Sequence, residues 1–496
     1  MLAPSTFSAR SMPLPELLGR DSAAFGDTIV SGMQLDSRSV RPGDLFLALP
    51  GGQHDGRQFI EQAVASGAVA VLSEPPVAGF LEAVPVPLIE VPDLRFEAGA
   101  LAARFYRNPS HSMQVTGITG TNGKTTTSRI IAQLTRALGK PCGVIGTLGA
   151  TLEESIAAAS NTTPDALSLQ RQLAEWFEQD VLAVSMEVSS HALEQGRVNG
   201  VAFDTAIYTN LSHDHLDYHG SMDAYGRAKK RLFTVEGLRH AIINVDDPFG
   251  ASIRTTVAAD VQVLTYSASG ASADVRVKNA EFHADGVRGD LHTPWGAAPF
   301  FSPFPGDFNV ENFMAAVTAL MLAGEDLRTV LDAATRLQPV PGRMQAIANM
   351  QSIQVIVDYA HTPQALEQVL NALRPHVSGS LITVFGCGGD RDKEKRQQMG
   401  RIACALSDRT VVTSDNPRSE DPVDIMHEIK SGCDGDYLLQ ADRAKAIALA
   451  VGEAQAGDCV LIAGKGHESY QLIDGQRLYF SDEAHARDAL AQRALS

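Results

Sequence analysis

Apolar residues in this chain fall into short runs, mostly separated by stretches with helical spacing, so strand, helix, strand is the first prediction. Near the N-terminus Leu45, Leu47 and Leu49 alternate as a strand, 59–65 suits a helix, and 68–72 suits another strand. The proline-rich stretch PPVAGFLEAVPVPLIEVPDL then reads as loops and short strands leading out of a small α/β unit. Val115 and Ile118 mark a buried strand, and 125–138 has the apolar spacing of a helix that stops at Gly139, before Pro141. Further buried strands are expected at 181–186 and 206–209, short glycine-interrupted β segments over 260–305, and a helix over 309–322. Pro339-Val-Pro-Gly342 cannot continue a helix and marks a hinge. Beyond it, strands at 353–357, 381–385, 410–413 and 459–462 alternate with helical stretches, the pattern of a second doubly wound sheet.

Length turns this rhythm into domains. A chain of 496 residues is too long for one core and implies about three domains. We draw them at 1–96, 97–340 and 341–496: a small α/β domain, a central domain with a mostly parallel sheet, and a C-terminal dinucleotide-fold-like domain. Forty-one basic residues against 58 acidic ones, net −17, disfavour nucleic acid or an anionic membrane as the main partner. Five cysteines without a CxxC indicate neither a disulfide framework nor a zinc knuckle, which points to the reducing cytoplasm. No uncharged apolar run reaches the ~18 residues of a membrane span, so the chain is expected to be soluble, and we expect a monomer.

Candidate chemistry sits where strands end. GITGTNGKTT (117–126) joins a strand to a helix, and free N–H groups at a helix start, with Lys124 and the Thr125 hydroxyl, suit a triphosphate and Mg²⁺. The generic GxxxxGK[ST] pattern would need glycine at Ile118, whereas glycines fall at 117, 120 and 123. Glu187 ends a second strand, where a carboxylate is either a Mg²⁺ partner or simply solvated. SHDHLDYH (212–219) is dense in ligands, but HxHxxxH matches no standard zinc pattern, and the neighbouring loop favours Mg²⁺. In an open α/β sheet these strand ends converge on one crevice. Lys229 and Lys230 read by spacing as an exposed helix pair. In the last third, GCGGDRDKEKR is a weak glycine cluster, and DNPR is either a turn or a carboxylate, amide and guanidinium set able to hold a small zwitterion.

Taken in order, LDSR (35–38), GTNGKTT (120–126), MEVSSH (186–191), NLSHDHLDYHG (210–220), GDFNVENFMAA (306–316), GRM (342–344), DYAHTP (358–363), GCGGDRDKEKR (386–396), DNPR (415–418) and AGKGHE (463–468) resemble the Mur ligases over most of the chain. The off-pattern loop is that family's GTNGKT variant. The resemblance implies a UDP-binding N-terminal domain, a central ATPase domain and a C-terminal Rossmann-like domain that brings the amino acid. It is nearest to members that add meso-2,6-diaminopimelate to the D-Glu side chain of UDP-N-acetylmuramoyl-L-alanyl-D-glutamate, with ATP and two Mg²⁺ ions, through an acyl phosphate.

Position by position, the resemblance implies roles for these residues. Leu35, Ser37, Gly52, Gln53 and His54 face the uridine diphosphate, and GGQH (51–54) departs from relatives. Asn161, Thr162, Thr163, Ser189, Gln195 and Arg197 hold the muramoyl dipeptide. Gly120, Thr121, Asn122, Gly123, Lys124, Thr125, Thr126, Asn309, Asn312, Arg343, Asp358 and His361 meet ATP. Thr125, Glu187, His215 and Lys229, the lysine carbamylated, support Mg²⁺, with Lys124, Glu187, His215 and Lys229 catalytic. Arg391, Asp415, Asn416, Pro417, Arg418, Gly464 and Glu468 form the diaminopimelate pocket, where an arginine fork suits the distal carboxylate that lysine lacks. Two other readings stand beside this one: a folylpolyglutamate synthetase relative, against which LDSR and DNPR argue, and a non-catalytic nucleotide-sensing scaffold, against which the intact loop and Mg²⁺ residues argue.

Overall fold

A computed structural model describes residues 11–19, 27–51, 55–76, 84–152 and 161–495. The chain divides into two compact units, residues 1–267 with 315–326, and residues 268–314 with 327–496.

The first unit opens with four parallel strands in sequence order, β1 (Gly32–Gln34), β2 (Asp44–Ala48), β3 (Ala70–Ser73) and β4 (Leu88–Glu90). Leucines alternate along β2 as expected of a strand, and all five of its residues are buried. Leu45 and Leu47 join one apolar cluster and Phe46 another, so both faces of the strand are covered. The helix Leu94–Phe105 follows and packs in the same cluster as Leu45 and Leu47, together with Leu167 and Ala174 of the helix Ala166–Phe177.

The second sheet of this unit is built around β5 (Gln114–Thr119). Parallel to it lie β8 (Ala183–Glu187) on one side and β9 (Thr205–Tyr208) on the other. Outward from β8 come β6 (Cys142–Gly146), parallel, and β7 (Gly149–Thr151), antiparallel. Outward from β9 come β10 (His240–Asn244) and β11 (Gln262–Ser267), both parallel. The chain leaves β5 for β6 on one flank and later reaches β9 on the other, so the carboxyl end of β5 is a topological switch point, where such sheets collect ligands. Val115, Val184, Met186 and Ala206 are buried among Trp176, Phe203 and Leu232, which fixes the register of the central strands.

In the second unit, 260–305 proves longer in strand than its glycines suggested: β12 (Val275–His283), β13 (Gly286–Thr293) and β14 (Gly296–Ser302) form an antiparallel meander. Much of β12 is exposed on both faces, so hydropathy underestimates its length. The six-stranded sheet runs β15 (Gln345–Ala346), β16 (Gln354–Asp358), β20 (Cys459–Ala463), β17 (Leu381–Phe385), β18 (Arg409–Val412), β19 (Tyr437–Leu439), and all pairs but β15 with β16 are parallel. Separate apolar clusters cover its two faces, as a doubly wound sheet requires. A hairpin of β21 (Tyr470–Ile473) and β22 (Gln476–Tyr479) follows β20. Among the described residues no helix is long and apolar enough to cross a membrane.

Candidate active site

The turn after β5 is fixed by close approaches that tolerate only glycine. A Cβ on Gly120 would lie 1.8 Å from Thr209 Oγ1, and Gly123 takes φ +87° at the start of the helix Lys124–Ala137. The turn is stitched to the strand end after β9. Asn210 O accepts from Thr121 N at 2.8 Å, Asn210 Oδ1 accepts from Asn122 N at 2.9 Å, and Thr209 Oγ1 donates to Asn122 O at 2.6 Å. Lys124 Nζ donates to the carbonyls of Gly120 and Thr121, 2.9 Å each, so its charge is held over the loop. Thr126 is buried on the helix behind it.

Glu187, at the carboxyl end of β8, is 1% exposed. Its Oε1 accepts from Thr147 N at 2.8 Å, and its Oε2 accepts from Thr125 Oγ1 at 3.0 Å and Thr147 Oγ1 at 3.2 Å. The carboxylate is thereby locked against the helix start, with Gly146 leaving just the room it needs. Nothing in the residues around Thr147 marks it as a partner of Glu187.

The same unit brings His215 and Lys229 towards this end of the sheet. Lys229 is not the exposed helix residue that its spacing suggested: on the helix Met222–Lys230 it is 1% exposed, with Nζ 4.1 Å from the Tyr225 ring centroid. Burial, and then the nearby charge of Lys124, push its amine well below the usual lysine range. His215, at φ +52°, is held below the ordinary histidine value by burial and by the charges of Lys124 and Lys229, with Asp214 opposing. Tyr225, one helical turn before Lys229, shares a 3.2 Å hydrogen bond with Thr121 Oγ1, so the i, i+4 spacing was a usable signal for it.

Beside these lies a network from the dipeptide set. Thr163 Oγ1 donates to Glu187 O at 2.9 Å and accepts from Ser189 N at 3.1 Å, while Arg197 Nη1 donates to Thr163 O at 3.1 Å. Gln195 Oε1 accepts from Arg197 Nε at 2.9 Å, and Gln195 Nε2 donates to the Tyr218 hydroxyl at 3.0 Å. Thr162 shares a 3.2 Å bond with Thr147, and Asn161 is exposed. His191 packs against His215 and Tyr218, and burial and the neighbouring histidines push it down to about 4. In the N-terminal sheet, Leu35 packs on the core and Ser37 Oγ donates to Gln62 Oε1 at 3.0 Å, whereas Gly52, Gln53 and His54 lie outside the described residues.

Hard oxygen donors from Thr125 and Glu187 suit Mg²⁺, which usually takes one or two carboxylates and fills its shell with water and phosphate oxygens. Among the described residues no three His, Cys, Asp or Glu side chains gather to hold a metal. A cavity of about 1450 Å³ opens at the opposite end of the sheet, by Gln114, Ala183 and Asp204. None of these groups lines it.

The second unit gathers two further sets. Asn309 Nδ2 donates to Pro305 O at 2.8 Å and Asn309 Oδ1 accepts from Asn312 at 3.1 Å. Asp358, ending β16, accepts from Met344 N and Ala360 N, 2.7 Å each, and burial raises its carboxyl despite the neighbouring Arg343. Arg343 sits 4.8 Å from the Tyr359 ring, and His361 Nδ1 donates to Tyr359 O at 2.8 Å.

The DNPR segment follows β18, and AGKGHE follows β20. Asp415 is buried, and a Cβ on Gly464, whose φ is +119°, would lie 2.6 Å from Asp415 Oδ2. Arg418, at φ +55°, donates from Nη1 to Gly389 O at 2.6 Å, and Pro417 O packs against Gly389. Arg391 is exposed close by, beside Gly388. Asn416 Nδ2 donates to Glu468 Oε2 at 2.9 Å. DNPR is therefore more than an Asn-Pro turn: an amide, two carboxylates and a guanidinium share one place. Spacing did not single out Arg396, whose buried guanidinium bonds Glu420, Glu428 and Gly388 O and so fixes the GCGGDRDKEKR loop, or Lys465, which bonds Asn416 and Glu468.

Known proteins match this arrangement. The family described as Mur ligase family, catalytic domain, matches residues 29–106, the Mur ligase middle domain 118–320, and the Mur ligase glutamate ligase domain 342–466. A curated UDP-N-acetylmuramoyl-L-alanyl-D-glutamate–2,6-diaminopimelate ligase of Ectopseudomonas mendocina is 46% identical, over 97% of this chain and 98% of its own. One of the same name from Pseudomonas aeruginosa is 47% identical, over 94% and 96%. A solved structure of a ligase with that name superposes with a TM-score of 0.75 at 40% identity, covering 98% of this chain and 99% of that one. Matches in all three segments and identity of this order over nearly the whole length settle the family: the chain belongs to the Mur ligases.

Proposed function

We propose that this ligase joins meso-2,6-diaminopimelate to the D-Glu side chain of UDP-N-acetylmuramoyl-L-alanyl-D-glutamate at the expense of ATP, in the cytoplasm, as a monomer. In this reading residues 1–96 bind the uridine diphosphate, 97–340 the ATP and 341–496 the amino acid. The side-chain carboxylate of D-Glu attacks the γ-phosphorus of ATP, giving an acyl phosphate and ADP. The amine of diaminopimelate then attacks the acyl carbon, phosphate leaves, and a proton is released with it. Two anions must meet in the first step, and stabilising that charge is where such a site acts. Lys124 and the N–H groups of 120–126 cradle the phosphates, while Thr125, Glu187 and His215, with Lys229 as its carbamate, hold Mg²⁺, which when bound offsets phosphate charge. Asn309, Asn312, Arg343, Asp358 and His361 serve the nucleotide. Leu35, Ser37, Gly52, Gln53 and His54 take the uridine diphosphate, and Asn161, Thr162, Thr163, Ser189, Gln195 and Arg197 the dipeptide.

The observation that carries this reading is Lys229. A buried amine pushed below its usual range, with no salt bridge among the described residues and only the charge of Asp214 opposing the shift, is a poor phosphate ligand but a good nucleophile for carbon dioxide. Addition of its lone pair to carbon dioxide, with loss of one proton, gives the carboxylate that the site needs. For the amino acid, Asp415 and Glu468 suit an ammonium group, and Arg391 and Arg418 suit carboxylates, as a zwitterion with a second carboxylate demands.

The test is ADP release with the dipeptide substrate and meso-diaminopimelate, L-lysine or no amine. Only diaminopimelate should support turnover, and equal rates with lysine would overturn the specificity. Arg418→Lys should raise the KM for diaminopimelate about tenfold and leave that for ATP unchanged, since lysine cannot both hold Gly389 O and fork onto a carboxylate. An unchanged amino-acid KM would remove Arg418 from the pocket.

A further inference from the structure

Lys465 lies between two glycines of AGKGHE, a setting in which a lysine is ordinarily solvated. Here its side chain is 0% exposed. Nζ donates to Asn416 Oδ1 at 3.1 Å and to Glu468 Oε2 at 3.2 Å, and lies 5.5 Å from the Tyr470 ring centroid. Asn416 closes the triangle by donating from Nδ2 to Glu468 Oε2 at 2.9 Å, and its Oδ1 also accepts from Leu472 N at 3.0 Å. The hairpin strand β21 that covers Lys465 is tied to the same loop, since Gln471 Nε2 donates to Asp415 O at 2.8 Å.

The bonds to Glu468 are one-sided. Both fall on Oε2, and among the described residues nothing bonds Oε1. A carboxylate clamped by one oxygen presents the other in a fixed direction as an acceptor for a cationic donor. The ammonium of Lys465 cannot reach substrate itself from its buried position, because the two bonded side chains stand over it. On this basis, and resting on the amino-acid pocket proposed above, we infer that Lys465 is a positioning residue that aims Glu468 Oε1 at the ammonium group of the incoming amino acid.

Steady-state kinetics on the full-length enzyme distinguish this from a merely structural role. Lys465→Met should raise the KM for diaminopimelate about ten- to a hundredfold, the range expected when a charged hydrogen bond is lost, while the KM for ATP and the melting temperature move little. In a Glu468→Gln background the same substitution should add less than about twofold, because its effect runs through Glu468. Additive effects, an equal rise in both KM values, or no rise at all would overturn the inference. Should Lys465→Met not fold, Lys465→Gln decides alone, and a diaminopimelate KM within about twofold of wild type would refute the role. Wild-type enzyme without diaminopimelate-dependent ADP release would sink the functional reading and this inference together. An active wild type with an indifferent Lys465→Met would sink the inference alone.

Discussion

Lys229→Ala is expected to lower ADP release by about a hundred- to a thousandfold or more, the scale of losing a preorganised charge at a phosphoryl-transfer site. Short carboxylic acids added to the assay should restore part of the rate, because the space vacated by a buried lysine would accept a carboxylate at the place proposed for the carbamate. Removing carbon dioxide from the wild-type assay should slow it in the same direction. Loss of fold is excluded by a second variant. The native amine is held below its unfolded value, so between the two values the unfolded chain binds more protons, and stability attributable to this group rises with pH. At neutral pH an unmodified Lys229 is therefore a net cost to folding. Lys229→Met removes that cost and should unfold no earlier than an uncarbamylated wild type, while remaining as inactive as Lys229→Ala. Full activity in either variant would refute the role.

Why Lys229 was illegible by spacing shows where sequence reasoning stops. Helical periodicity assigns a lysine to solvent by its type. Its burial is decided by what closes over the helix, here Tyr225 on its own helix and charged neighbours such as Lys124, more than 100 residues away in the chain. Only the resemblance pointed at it. Lys465 was missed for the same reason, its cover coming from the hairpin of β21 and β22.

Strands buried on both faces were readable. Leu381–Phe385 is apolar except for Thr383, and its five buried residues lie between two covered faces. The loop at 117–126 was legible despite its off-pattern glycines, because strand before, helix after and GKTT at the junction each carry a physical reason. What its spacing could not tell is why those glycines are needed, since the group that forbids a side chain at Gly120 is Thr209, on another strand end. In β12 the failure was of another kind. A strand exposed on both sides has no apolar period to detect, so its nine residues read as fragments.

Glu187→Gln should be the most informative isosteric change at the phosphate end. Glutamine keeps the shape that Gly146 allows, and its carbonyl can still accept from Thr147 N. Its amide then faces Thr125 and Thr147, whose hydroxyls can rotate from donor to acceptor, so the packing survives and the stability change should stay within about 1 kcal/mol. What disappears is the negative charge. With it goes the protein's main counter-charge for Mg²⁺ beside Thr125, and ADP release should fall by about a hundred- to a thousandfold, with dipeptide binding little changed. Raising the Mg²⁺ concentration should recover part of that loss, since the defect lies in ion affinity. Glu187→Ala differs in kind: it also strands the part-buried Thr147 N–H and should cost roughly 1 kcal/mol of stability as well. If Glu187→Gln turned over at the wild-type rate at matched Mg²⁺, the carboxylate would be structural, serving to fasten Thr147 to the start of the helix Lys124–Ala137, and the ion would have to be held by His215 and the Lys229 carbamate alone.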